Sequence, residues 1–395
     1  VTHLFLFDID SVLVEANGYL KALQDTVAHF SRQMGVGAHP PTEAEVRALE
    51  AHGLTSEWDS APACIAKLLL ERLRQEPIAL PIDWPNALAT LAAHPLPLPH
   101  PDYATLAQQV GERMANQPSA ASAARTVLWK DVRAIPDLEP HYPTIDALFN
   151  TLLGHTYDFD RAPVTHYFQH LVIGSEGVRQ TYGVDPDFES AAYLYEYDRS
   201  LLAADVRARL RESVDRGNVR VALYTARPSL PPADADATAN GYSPEAEIAR
   251  SLTEMDRYPL IGLGRIRWLA ERTGERAEHL VKPSPVQALA AIGAAWSGQE
   301  TAALQAALAL YRDGELLPPL TDIEPGIVHV FEDSPGGTDA VRRAVEALQT
   351  AGLNVAWQPY GITPADGPKA AAMAARNVLT YRSINKAISA ALEPT

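Results

Sequence analysis

The sequence predicts an α/β fold, a doubly wound parallel sheet with an α-helical domain inserted after its first strand. Three observations carry this. A short, continuous apolar run, "HLFLF" at residues 3–7, stands at the start. Further runs of the same kind recur only late in the chain, alternating with helical patterns. Between the first run and the rest lie roughly 210 residues of different character, helical and interrupted by proline.

The elements follow in order. Continuous apolar runs of this length are the pattern of strands buried on both faces, and residues 3–7 form the first, ending in Asp8 and Asp10. In the middle region, "YLKALQDTVAHFSRQMG" and "PACIAKLLLERLRQ" read as amphipathic helices. The stretch "AAHPLPLPHPDY", residues 92–103, has proline at alternate positions, so it reads as an extended connector. In "LLAADVRARLRESVDRG" apolar residues recur at helical spacing, at Leu201, Leu202, Val206 and Leu210, and Gly217 supplies the stop. Four strand patterns then follow: "VRVALYT" ending at Thr225, "HLVK" ending at Lys282, "IVHVFED" ending at Asp333, and "LNVAWQP" near Val355. The polar, proline-rich residues 228–241 read as a loop, and "LGRIRWLAERTG" and "TDAVRRAVEALQTAG" as helices before the third and fifth strands. Strands alternating with helices imply a parallel, Rossmann-like sheet covered on both faces. The expected domains are an α/β core of residues 1–18 and 200–395 and a helical domain of residues 19–199.

The totals restrict function. Hydrophobic residues make up 47% of the 395, enough for a sizeable core. A net charge of -16 argues against nucleic acid or an anionic membrane as partner, since both call for surplus Lys and Arg. The single cysteine, Cys64, allows no internal disulfide and fits a reducing cytoplasm, where we expect the protein. It reads as a small buried residue of a helix. We expect neither a transmembrane helix nor a signal peptide. The histidines read as scattered, and no zinc site is expected.

In an open parallel sheet, ligands bind at the carboxyl ends of the strands. The polar residues there are Asp8, Asp10, Thr225, Lys282, Glu332 and Asp333. Several carboxylates in one crevice repel unless a divalent cation holds them, and hard oxygen donors select Mg²⁺. Asp8, Asp10, Glu332 and Asp333 are the candidate metal-binding residues, with Asp8 and Asp333 as side-chain ligands.

These motifs together resemble the haloacid dehalogenase superfamily of phosphohydrolases. "FDIDSVLV" matches its first motif, "VALYTARP" with Thr225 its second, "HLVKPSP" with Lys282 its third, and "VFEDSPGG" with Glu332 and Asp333 its fourth. The middle region resembles the helical cap that many members insert between the first two motifs, and "GLTSEWDSAPACIAKLL" is similar to a cap helix of one phosphatase group. The resemblance implies that Asp8 attacks phosphorus to form an aspartyl phosphate, and that Asp10 protonates the leaving alcohol and later deprotonates water. It implies that Thr225, with the backbone N–H of Ala226, binds a phosphoryl oxygen, and that Lys282 neutralises charge on the nucleophile and the transferring group. Ser11 departs from the family pattern, which usually has glycine there, and we expect little effect. The expected function is a Mg²⁺-dependent phosphomonoesterase of a small phosphorylated metabolite. The alternatives are a phosphomutase of the same fold or a non-catalytic binding protein. A phosphonate-cleaving member would need a Schiff-base lysine in the cap, for which Lys21 and Lys67 are candidates by position.

Overall fold

The structure is a computed structural model describing residues 2–363 and 367–393. The chain divides into two compact units. The first comprises Val1–Ala16, Glu176–Asp185 and Tyr197–Thr395, and the second Asn17–Ser175 and Pro186–Glu196.

The second unit is helical among the described residues. Its elements are α1 (Asn17–Gln33), α2 (Glu43–Ala51), α3 (Glu57–Gln75), α4 (Trp84–Ala93), α5 (Tyr103–Gly111), α6 (Ala120–Arg133), α7 (Tyr142–Leu153), most of α8 (Pro163–Tyr182) and most of α9 (Tyr193–Tyr197). Helix α3 is central: α1, α6 and α7 pack on it, and its face of Ala63, Cys64, Ile65, Leu68 and Leu69 is fully buried. The proline-rich stretch joins α4 to α5 without regular structure. Helix α8 is broken at Gly174, whose positive φ of 71° suits glycine, and a Cβ there would stand 2.6 Å from the backbone N of Ala192.

The first unit holds the sheet. Its strands are β1 (Thr2–Phe7), β4 (Val219–Tyr224), β5 (Leu260–Ile261), β6 (Gly326–Glu332), β7 (Val355–Ile362) and β8 (Leu379–Tyr381), all parallel, in the order β5-β4-β1-β6-β7-β8. A two-stranded antiparallel ribbon, β2 (Val14–Glu15) with β3 (Arg199–Ser200), stands where the chain leaves and re-enters this unit. Alternate residues of β1 serve opposite faces, as strand geometry requires. Leu4 and Leu6 join a core built with α12 (Leu263–Thr273), α13 (Pro285–Ser297), α14 (Glu300–Asp313) and α15 (Pro335–Thr350). Phe5 and Phe7 join the opposite core, with α10 (Ala204–Asp215), α11 (Glu245–Leu252) and α17 (Ile384–Leu392). A last short helix, α16, spans Pro368–Ala374. No helix among the described residues is long and apolar enough to cross a membrane.

One expected strand is absent. "HLVK" is not extended: a 3-10 turn at Ala277–His279 leads into a loop that carries Lys282 to Ser284, the N-cap of α13. Four residues are too few to separate a strand from another buried segment, and Pro283 and Pro285 favour a turn. The edge strand next to β4 is instead the two-residue β5, too short to show a period.

Candidate active site

Strands β4, β1 and β6 are adjacent, with Phe7 opposite Leu223 on one side and Phe331 on the other. That register brings Asp8, Thr225 and Glu332 to one edge of the sheet, on strands about 4.8 Å apart. Asp8 is buried, and its backbone N–H donates to Phe331 O at 3.0 Å.

Lys282 ties the nucleophile candidate to the acidic pair. Its Nζ lies 2.9 Å from Asp8 Oδ1 and 2.8 Å from Glu332 Oε1, and 4.6 Å from the centre of the Tyr224 ring. Glu332 is fully buried, and its Oε2 accepts from the backbone N–H and hydroxyl of Ser334 at 2.8 and 3.0 Å. Ser334 caps α15, its Oγ accepting from Gly337 N at 3.1 Å. Asp333 is half-buried and pairs with Lys369 on α16 at 2.5 Å. Asp8, Glu332 and Asp333 can each direct one carboxylate oxygen so that all three lie within 4.8 Å of one another.

The charges show strain that the protein groups do not fully relieve. Burial, then the Glu332 carboxylate, pushes Asp8 well above the usual carboxylate range, although Lys282 pulls it down. Burial and Glu332 likewise raise Asp333, against the pull of Lys369. Burial opposes the charge on Lys282, but Asp8 and Glu332 outweigh it and hold its pKa above the ordinary lysine value.

Thr225 is fully buried at the end of β4. Its N–H donates to Ile261 O at 3.1 Å, and its Oγ1 accepts from Arg227 N at 3.2 Å. Ala226 is exposed in the turn between them. The buried Gln287 of α13 holds this edge together. Its Nε2 donates to Thr225 O and Ile261 O at 2.8 and 2.9 Å, and its Oε1 accepts from Lys282 N at 3.2 Å.

Asp10 is not one of the three clustered carboxylates, although its charge is among those that raise Asp8. Its carboxylate is gripped by Arg227, through Nε at 2.8 and 3.1 Å and Nη2 at 2.6 Å. Arg227 also reaches the buried carboxylate of Asp198 at 3.1 Å. Ser11 adopts φ 61° in the turn after Asp10, where its N–H donates to Val14 O at 2.9 Å. In the second unit, Lys21 and Lys67 are paired with Asp25 and Glu71, each four residues on, at 2.8 and 2.7 Å.

The structure thus brings Asp8, Thr225, Lys282, Glu332 and Asp333 to one sheet edge and places Asp10 on Arg227. Sequence reasoning did not single out Arg227, Asp198, Gln287 or Lys369. The one signal within reach was the position of Arg227 two residues after Thr225.

No protein-family model and no curated protein matches the chain. Among solved structures, the Northeast Structural Genomics Consortium target ZR25 aligns with a TM-score of 0.63 and 12% identity, over 98% of this chain and 97% of that one. Phosphatase Tt82 from Thermococcus thioreducens aligns with a TM-score of 0.44 and 13% identity, over 99% of this chain and 100% of that one. The structure is the α/β fold that the sequence predicts, a six-stranded parallel sheet with a large helical region inserted between β1 and β4, and the first of these alignments shows that a solved protein shares the fold.

Proposed function

We propose that the chain is a Mg²⁺-dependent phosphomonoesterase that acts on a small phosphorylated metabolite through an aspartyl-phosphate intermediate. The observation that carries this reading is the bridge of Lys282 between Asp8 and Glu332, beside Asp333, at the carboxyl edge of the sheet. A buried carboxylate held ready by one ammonium and crowded by two more carboxylates suits a nucleophile that works beside a cation.

The donor set fits Mg²⁺. Lys282 alone serves both Asp8 and Glu332, Lys369 serves Asp333, and Asp8 is still pushed towards its neutral form, so stable ionisation of Asp8 calls for further positive charge. Asp8 and Asp333 would hold the ion through hard oxygen donors. Glu332 belongs to the cluster, but its oxygens already serve Lys282 and Ser334, so it positions the lysine. When bound, Mg²⁺ supplies charge that shields the phosphoryl oxygens and keeps Asp8 ionised.

Asp8 attacks phosphorus, the bond to the leaving oxygen breaks, and Asp10, which enters this step protonated, gives that oxygen its proton. Water then attacks the aspartyl phosphate, Asp10 takes its proton, and inorganic phosphate leaves. Lys282 stays charged and stabilises the transferring group, while the Thr225 hydroxyl and the N–H of Ala226 hold a phosphoryl oxygen. Arg227 orients Asp10 for both proton transfers.

The test is phosphate release from an aryl phosphate and a panel of phosphorylated metabolites, with Mg²⁺ or EDTA, for the native chain and Asp8→Asn. Release that needs Mg²⁺ and vanishes in the variant is expected. Isomerisation of a sugar phosphate without release would make the chain a phosphomutase. Equal inertness of both proteins across the panel would sink the enzymatic reading in favour of a binding protein.

A further inference from the structure

A second cluster of ligating side chains lies wholly within the helical unit. His166 and His170 stand four residues apart on α8, so they share a face of the helix, and the reading of the histidines as scattered missed this pair. Their ring centroids are 4.8 Å apart. Asp187 brings Oδ2 to 3.1 Å from His166 Nε2. One ligand atom from each of the three lies within 4.8 Å of the others.

Two features of this cluster point to a ligand. The first is the placing of His166. Its Nδ1 lies 3.2 Å from Phe159 O, so this nitrogen carries a hydrogen and Nε2 is the one left facing Asp187. A backbone carbonyl that takes the far N–H of a histidine is also the usual support of a metal-ligating imidazole. The second feature is His170. It is fully buried, and neither Nδ1 nor Nε2 has a hydrogen-bond partner. A buried polar group left so costs about 1–3 kcal/mol and calls for an explanation.

The surroundings present these groups as a built site. Ser175 Oγ donates to Phe188 O at 3.0 Å and accepts from Ser190 N at 2.7 Å, while Ser190 Oγ donates to His170 O at 3.0 Å. These bonds fix the segment that follows Asp187 against α8. The Asp187 side chain is itself 70% exposed, which leaves the cluster open to solvent on that side.

We propose that His166, His170 and Asp187 form a binding site for a zinc-class divalent transition ion. Two imidazoles and one carboxylate are a zinc donor set, unlike the all-oxygen set around Asp8. The ion would sit about 2.0–2.2 Å from each donor, with water in the fourth position, and the shell would draw in towards the ~3.4 Å between ligands of a tetrahedral site. It would clasp the segment after α8 to that helix and give the buried His170 ring a partner.

The test uses the untagged chain of both units stripped with EDTA and then held in excess Mg²⁺, so that the carboxylate cluster is occupied. Co²⁺ is titrated as a spectroscopic probe and Zn²⁺ is added to displace it. The expected result is one Co²⁺ per chain with the visible absorption of a four-coordinate nitrogen and oxygen site, loss of that absorption with Zn²⁺, and a higher Tm in Zn²⁺. His166→Ala and Asp187→Asn should each weaken binding by about tenfold or more. Asp187→Asn is isosteric and exposed, so it decides the matter even if the histidine variant does not fold. Absence of the cobalt spectrum, or equal affinity in native and Asp187→Asn protein, overturns the proposal.

Discussion

A methyl group at Gly337 would stand 1.6 Å from Glu332 Oε1, the atom that holds Lys282. The first turn of α15 is therefore bare so that a buried carboxylate can lie against its backbone. Gly337→Ala should displace Glu332, release Lys282 and abolish most phosphate release, with a lowered Tm. Gly336→Ala, whose nearest neighbour would be 4.0 Å away, should leave both unchanged. Equal effects of the two substitutions would show that the packing of Glu332 does not matter.

Arg227 and Asp10 invite a leaving-group test. If Asp10 supplies the proton, Asp10→Asn should cost alkyl phosphates on the order of 10²–10⁴ in kcat and p-nitrophenyl phosphate much less, because nitrophenolate leaves without a proton. Arg227→Ala strips Asp10 and the buried Asp198 of their shared cation, and should cost about 3–5 kcal/mol of stability. Arg227→Lys should recover part of the activity. Equal losses for both leaving groups would remove Asp10 from the proton transfer.

Gln287 reaches three backbone groups across the site edge. Gln287→Leu leaves buried groups unpaired, which predicts a loss of about 2–4 kcal/mol in urea unfolding. Phosphate release should fall by about tenfold or more as the Lys282 loop loosens. A stability loss without a drop in kcat would make Gln287 a purely structural residue.

His329 predicts a pH dependence of stability. It is buried on β6, bonded to His3 at 2.9 Å and to the Tyr360 hydroxyl at 3.2 Å, and burial followed by His3 pushes its pKa down from 6.5 to about 3. The unfolded chain takes up this proton below about 6.5 and the folded chain does not, so the unfolded state binds more protons in that window. Stability should therefore fall as pH drops from 6.5 towards 3, at up to ~1.4 kcal/mol per pH unit. Urea unfolding near pH 7.5 and 5.5 should show native protein losing about 1.4 kcal/mol more than His329→Gln. Parallel losses would assign the pH dependence to other groups.

Ser11 holds a left-handed conformation, which costs a non-glycine residue about 1–2 kcal/mol. Ser11→Gly should keep activity and raise stability by up to about 1 kcal/mol, and Ser11→Val should lower it. A less stable glycine variant would show that the serine side chain contributes more than the backbone strain removes.

Strands β1, β4 and β6 are legible in the sequence because strands buried on both faces must be apolar throughout, and Phe5, Val221 and Val330 each lie in such a run. Leu260 and Ile261 form a strand too short for any period. The loop of Lys282 shows the opposite case, in which the residue is singled out by its order among the motifs while its element reads wrongly as a strand. Arg227 and Gln287 were out of reach for a different reason. Their partners lie far along the chain, and a lone Gln in an alanine-rich helix carries no mark of the three backbone groups it will meet. His166 and His170 were readable, since four-residue spacing on a helix is a local pattern.

The position of β1 has a consequence for how the molecule is assembled. This strand lies between β4 and β6, yet its nearest partner follows it by on the order of 200 residues. During synthesis at about 5–20 residues per second, "LFLF" emerges many seconds before any native neighbour exists. The first strand of this sheet to be made is thus enclosed only when β4 and β6 have followed it, and its phenylalanines need shelter from other nascent chains until those strands arrive.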